Sequence, residues 1–93
     1  DLRTLFPLDT KAMFEAAKRH GKCLIITEEP VHCTFAQSLA ARISENCFRS
    51  LDAPVRTLGA ENMPAVPLNE TLEKAMIPSI EKVAAAIENL LAW

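Results

Sequence analysis

The sequence predicts an α/β fold, a three-layer α/β/α arrangement with a mostly parallel sheet. Three observations carry this. Cys23, Leu24, Ile25 and Ile26 run without a polar break, as a parallel strand covered on both faces would. Short apolar segments alternate with segments of helical period along the chain, which implies right-handed crossovers between parallel strands. The last segment shows the cleanest helical stripe, with Ile80, Val83, Ala84, Ile87, Leu90 and Leu91 spaced for one face.

The elements follow in order. Residues 1–5 are apolar enough for the end of a strand. Phe6-Pro7-Leu8-Asp9 is a turn, and Asp9 or Thr10 caps a helix that runs to His20. That helix buries Met13, Phe14, Ala16 and Ala17. Gly21 stops it, and Lys18, Arg19 and His20 in its last turn suit the negative end of the helix dipole. A strand is expected over 22–28 and a loop over 29–33. Thr34 with Gln37 three residues on forms a capping box, and Phe35, Leu39, Ile43 and Cys47 recur at helical spacing, with Ala36 and Ala40 beside them. Ala53-Pro54 ends that region, and a short strand is expected over 55–58. Pro64 and Pro67 make 61–68 an extended loop. Asn69 caps a short helix to Met76, and Pro78-Ser79 opens the final helix.

A length of 93 residues fits one domain over 1–93, and 49% hydrophobic with 24% charged residues is a globular composition. The formal net charge of −2 offers little attraction to a phosphate backbone, so no nucleic-acid partner is expected. Only 2 glycines are present, too few for a glycine-rich phosphate loop. The longest strongly apolar run is four residues, far short of a membrane span, and no signal peptide opens the chain. Cys23, Cys33 and Cys47 are an odd set without paired spacing, which favours reduced thiols and a cytoplasmic protein. Three strands are few for this architecture, and the chain opens at Asp1 without Met. A piece of a longer chain is the expectation.

Candidate chemistry is sparse. Glu28 and Glu29 lie where open α/β sheets bind ligands, at the carboxyl end of the central strand. Neighbours in an extended chain point to opposite faces, so solvated strand-end charges are the simpler account. His32 and Cys33 are adjacent in the following loop, and sequence neighbours rarely form a nucleophile–base pair. A metal would need three or four convergent ligands, and Cys23, Cys47 and His20 stand at no recognised spacing. Cys23 and Cys47 fit as small core residues. The cluster of Lys18, Arg19, His20 and Lys22 is explained by dipole compensation, without interleaved aromatics for base stacking. Trp93 is either packed on its own core or part of an interface. From the residues alone, the chain is a small α/β module suited to docking rather than catalysis.

Several strings taken together carry a resemblance. They are Asp1-Leu2-Arg3-Thr4-Leu5 with Pro7-Leu8-Asp9, then Gly21 to Ile26 leading to Glu28 and Pro30, then Ala53-Pro54-Val55-Arg56, Pro64, Pro67 and Ile77-Pro78. In this order the chain resembles the C-terminal domain of the β-subunit of thiamine diphosphate-dependent 2-oxo acid dehydrogenases, of pyruvate and branched-chain type, within the transketolase superfamily. The resemblance implies a transketolase C-terminal-like fold lacking its first strand and helix. It implies a parent enzyme that decarboxylates a 2-oxo acid and passes the acyl group to a lipoyl arm. Thiamine diphosphate and magnesium would belong to the parent, with no cofactor, metal or catalytic residue on this piece. The implied partners are other domains or subunits of the dehydrogenase, a second copy in dimer pairing, and the lipoyl acyltransferase core. By position the resemblance assigns partner binding to Asp52 and to Trp93 with its carboxylate.

One string departs from the family. Where it carries Gly-Gly-x-Gly-x-Glu, this chain has Cys33-Thr34-Phe35-Ala36-Gln37-Ser38. The departure suggests a divergent branch, such as one with α- and β-type regions fused in one chain. A C-terminal domain of a transketolase or deoxyxylulose-phosphate synthase type enzyme, and a free-standing α/β binding module, are the competing readings.

Overall fold

The structure is a computed structural model and describes residues 1–61 and 77–93. The elements in chain order are α1 (Thr10–His20), β1 (Leu24–Pro30), α2 (Phe35–Cys47) with a 3₁₀ turn (Phe48–Ser50), β2 (Arg56–Ala60) and α3 (Ile80–Leu91). The strands pair in parallel, with Leu24 opposite Arg56, Ile25 opposite Thr57 and Ile26 opposite Leu58. The register slips between Ile26 and Pro30, and Pro30 then stands opposite Ala60.

Strand alternation sends side chains to two faces, and a helix layer meets each. Cys23, Ile25 and Val55 pack against Ala17 of α1 and against Ile43 and Cys47 of α2. Leu24 and Arg56, of the opposite parity, share a groove with Ala86 and Leu90 of α3. This is the α/β layering expected from the sequence. Cys47 is the most deeply buried side chain, and its thiol donates to the Phe14 carbonyl at 3.7 Å.

The helix ends follow local chemistry. Asp9 Oδ1 accepts from the Ala12 N–H at 3.1 Å, and Ser79 Oγ accepts from the Lys82 N–H at 3.2 Å, so each satisfies an orphan donor of the first turn. Gly21 takes φ 75, and its N–H returns to the Ala17 carbonyl at 2.9 Å, which closes α1 in the left-handed conformation that glycine adopts without a Cβ penalty. Gly59 serves the sheet differently. A Cβ there would strike the Glu29 carbonyl, so the close approach of the two strands at their carboxyl ends needs a hydrogen at this position.

Five expectations are corrected. Residues 1–5 form no strand, because Arg3 sits at φ 63 and the Thr4 N–H donates to the Leu2 carbonyl at 2.6 Å, a tight turn that breaks any extended run. The strand expected over 22–28 runs instead from Leu24 to Pro30, and the one expected over 55–58 continues through Gly59 to Ala60. The two extensions meet each other in the pairing of Pro30 with Ala60. The capping box is incomplete. Thr34 holds the N-cap position, but its hydroxyl donates to the Val31 carbonyl at 2.8 Å, and Gln37 Oε1 accepts from the Cys33 N–H at 3.0 Å. The last correction concerns α3, whose apolar stripe divides. Leu90 is buried and Val83 half-buried, whereas Ile80 is 86% and Leu91 66% exposed. The loop expected over 61–68, past its first residue, and the short helix expected from Asn69 to Met76 lie outside the described residues.

Candidate functional site

Parallel βα connections place the amino ends of the strands and the carboxyl ends of the helices at one pole of the molecule. Asp52 and Trp93 both lie there. Asp52 precedes β2, and its N–H donates to the Gly21 carbonyl at 2.7 Å. Its exposed carboxylate covers the face of Gly21 where a Cβ would stand. The next residue, Lys22, reaches across to the end of α3. Its Nζ donates to the Leu91 carbonyl at 3.1 Å and to Trp93 O at 2.9 Å. An ammonium there satisfies carbonyls left open at a helix C-terminus and opposes the negative end of the dipole.

Arg56 completes the group. Its guanidinium carbon stands 5.6 Å from the centroid of the Trp93 ring, within cation–π range. Its backbone N–H donates to the Cys23 carbonyl at 3.0 Å, which fixes the start of β2 against the start of β1. Asp52, Gly21, Lys22, Trp93 and Arg56 are therefore linked contact by contact. Beside them a groove of about 350 Å³ is lined by Leu24, Arg56, Thr57, Ala86, Asn89, Leu90 and Trp93. A second cleft of about 510 Å³ lies along the carboxyl ends of α1 and α2, with Lys18, Asn46, Phe48 and Arg49 among its walls.

Trp93 is not packed into a core of its own. It is stacked by Arg56 and tethered by Lys22, yet it remains 60% exposed. Lys22, grouped by sequence with the α1 dipole, serves the end of α3 instead. Arg56 closes the Ala53-Pro54-Val55-Arg56 string without a role assigned to it there, and its link to Trp93 exists only in three dimensions.

The opposite pole holds the other candidates. Glu28 and Glu29 are exposed at the carboxyl end of β1, and His32 and Cys33 are exposed in the turn that follows. Cys33 has φ 57, and its N–H is held by Gln37. Among the described residues, no group of three or more His, Cys, Asp or Glu could hold a metal ion. All three cysteines are free thiols. Burial, and secondarily the nearby Cys47, push the Cys23 thiol above its ordinary pKa. This is the environment of a core thiol rather than an activated nucleophile. No helix among the described residues is long and apolar enough to cross a membrane.

Comparison with known proteins matches residues 1–83 to the family model described as transketolase, C-terminal domain. The chain is 42% identical to the 2-oxoisovalerate dehydrogenase subunit beta of Bacillus subtilis (strain 168) over 97% of its own length and 28% of that relative. It is 34% identical to the acetoin:2,6-dichlorophenolindophenol oxidoreductase subunit beta of Cupriavidus necator over 92% of this chain and 25% of that one. It is 30% identical to the pyruvate dehydrogenase E1 component subunit beta of Rhizobium meliloti (strain 1021), over 95% and 19% respectively. The chain thus spans about a quarter of the length of the relatives it matches. The order of motifs, the parallel α/β layering and the match along residues 1–83 agree, and the chain belongs to the transketolase C-terminal domain family, of the kind carried by 2-oxo acid dehydrogenase β-subunits.

Proposed function

We propose that residues 1–93 are one partial domain of a thiamine diphosphate-dependent 2-oxo acid dehydrogenase, and that its task is assembly rather than chemistry. It pairs subunits and presents the Asp52–Trp93 pole to the lipoyl acyltransferase core. The observation that supports this reading is the contact chain from Asp52 through Gly21 and Lys22 to Trp93, which links the two residues assigned by resemblance at one end of the sheet, each of them exposed. An exposed carboxylate at Asp52 offers a basic partner charge-assisted hydrogen bonds and raises its on-rate. An exposed Trp supplies apolar contact area of the type enriched at interfaces.

Thiamine diphosphate and magnesium belong, on this reading, to other parts of the parent. The described residues present no carboxylate cluster for the metal and no glycine-rich loop for the diphosphate. The cofactor supplies the decarboxylation where it is bound, and this chain's residues hold the surface on which the complex assembles. Relatives named for 2-oxoisovalerate, pyruvate and acetoin enzymes each match over more than 90% of this chain, which suits a part that carries no substrate pocket.

The test is binding of the full dehydrogenase to its acyltransferase core by surface plasmon resonance. Asp52→Lys together with Trp93→Ala is expected to weaken binding by roughly 10-fold or more. Unchanged binding would sink the proposal.

A further inference from the structure

The docking pole carries both signs of charge, and its groove faces the positive one. Arg56 is held over the Trp93 ring, so its planar fork is already oriented, and little side-chain freedom is lost when it gains a partner. Among the described residues, no carboxylate or carbonyl accepts from its guanidinium. Lys22, the other cation at this pole, is occupied by the Leu91 and Trp93 carbonyls. The groove beside Arg56 is floored by Leu24, Ala86 and Leu90, and the Asn89 amide and Thr57 hydroxyl line it as further donors. Such a pocket matches a short apolar stem that ends in a carboxylate.

We propose that the groove beside Trp93 takes an acidic side chain, Asp or Glu, from the docked partner. The inference rests on the docking reading above and deepens it. The partner must present a cation to Asp52 and a carboxylate to Arg56, in fixed relation, rather than a uniformly basic face. A two-sign pattern sets orientation as well as attraction, because a partner docked the other way round would bring like charges together at both positions.

The sign of one substitution decides it. Binding of the full dehydrogenase to the acyltransferase core is measured for Arg56→Glu, Arg56→Lys and Asp52→Lys, with far-UV circular dichroism as the check on folding. Arg56→Glu is expected to weaken binding about tenfold or more, and Arg56→Lys, which keeps the charge and loses the fork, several-fold. If Arg56→Glu does not fold, Arg56→Gln carries the same expected direction. Asp52→Lys weakens binding while Arg56→Glu leaves it unchanged or tightens it: that pair of results keeps the docking reading and overturns the acidic anchor. No change for either residue overturns both.

Discussion

Lys22 Nζ lies 2.9 Å from Trp93 O, across 71 residues of sequence. The same ammonium holds the Leu91 carbonyl, so one side chain at the start of β1 closes the end of α3. The last helix is thereby fixed to the amino end of the sheet, and Trp93 is carried to Arg56.

Removing that tether should loosen α3. Lys22→Met keeps the apolar stem and loses both hydrogen bonds. Solvent access discounts each bond, so a loss of about 1 kcal/mol is expected. In a domain of this size that lowers the melting temperature by roughly 4–8 °C. The chain has 1 Trp, at position 93, so its fluorescence reports the local change directly. Lys22→Arg should retain most of the stability.

Gly21→Ala should be costly for two separate reasons. The left-handed φ of 75 costs an L-residue about 1–2 kcal/mol, and the new methyl would meet the Asp52 carboxylate. Denaturant melts would show the stability loss. On the proposed docking role, the displaced Asp52 would also reduce binding to the acyltransferase core in variants that still fold, and Gly21→Asn, which tolerates this φ better, should be milder.

The core prediction concerns Ile43 of α2, which is buried in one cluster with Ala17 and Cys47, against which Cys23, Ile25 and Val55 pack. Ile43→Ala should cost about 2–5 kcal/mol, the range for truncating a packed aliphatic side chain. A cost below ~1 kcal/mol in a urea titration would contradict the packing described.

The thiols should separate by reactivity and by pH. Cys33 is exposed, Cys23 half-buried and Cys47 buried, so iodoacetamide should modify them in that order, followed by mass spectrometry. Burial raises the Cys23 pKa in the folded chain, so the folded state holds the thiol proton more tightly than the unfolded one. The stability this contributes is complete below the ordinary thiol value and is lost as pH rises through the raised one. Stability should therefore fall as pH rises above the ordinary thiol value, and Cys23→Ala should flatten that limb.

The helix ends were legible because capping is local. Asp9, Gly21 and Ser79 each bond within a few residues of the terminus they define. Strand limits were less so, since they depend on the partner. Glu29 and Pro30 join β1, and Gly59 and Ala60 join β2, because the two segments meet each other. Thr34 shows a local rule overtaken by a local competitor, its hydroxyl turning to Val31 rather than to the helix. On α3 the period of 3.6 marked six apolar positions, and only part of that stripe meets the sheet. At the candidate site, resemblance supplied Asp52 and Trp93. Lys22 and Arg56 stood in strings the sequence singled out, but their roles come from contacts with the far end of the chain.

The most direct measurement of the central claim is hydrogen exchange on the full parent protein, with and without the acyltransferase core proposed as its partner. The account predicts slowed exchange in peptides covering residues 21–24, 51–57 and 89–93. Protection confined to residues 28–35, at the opposite pole of the sheet, would contradict it.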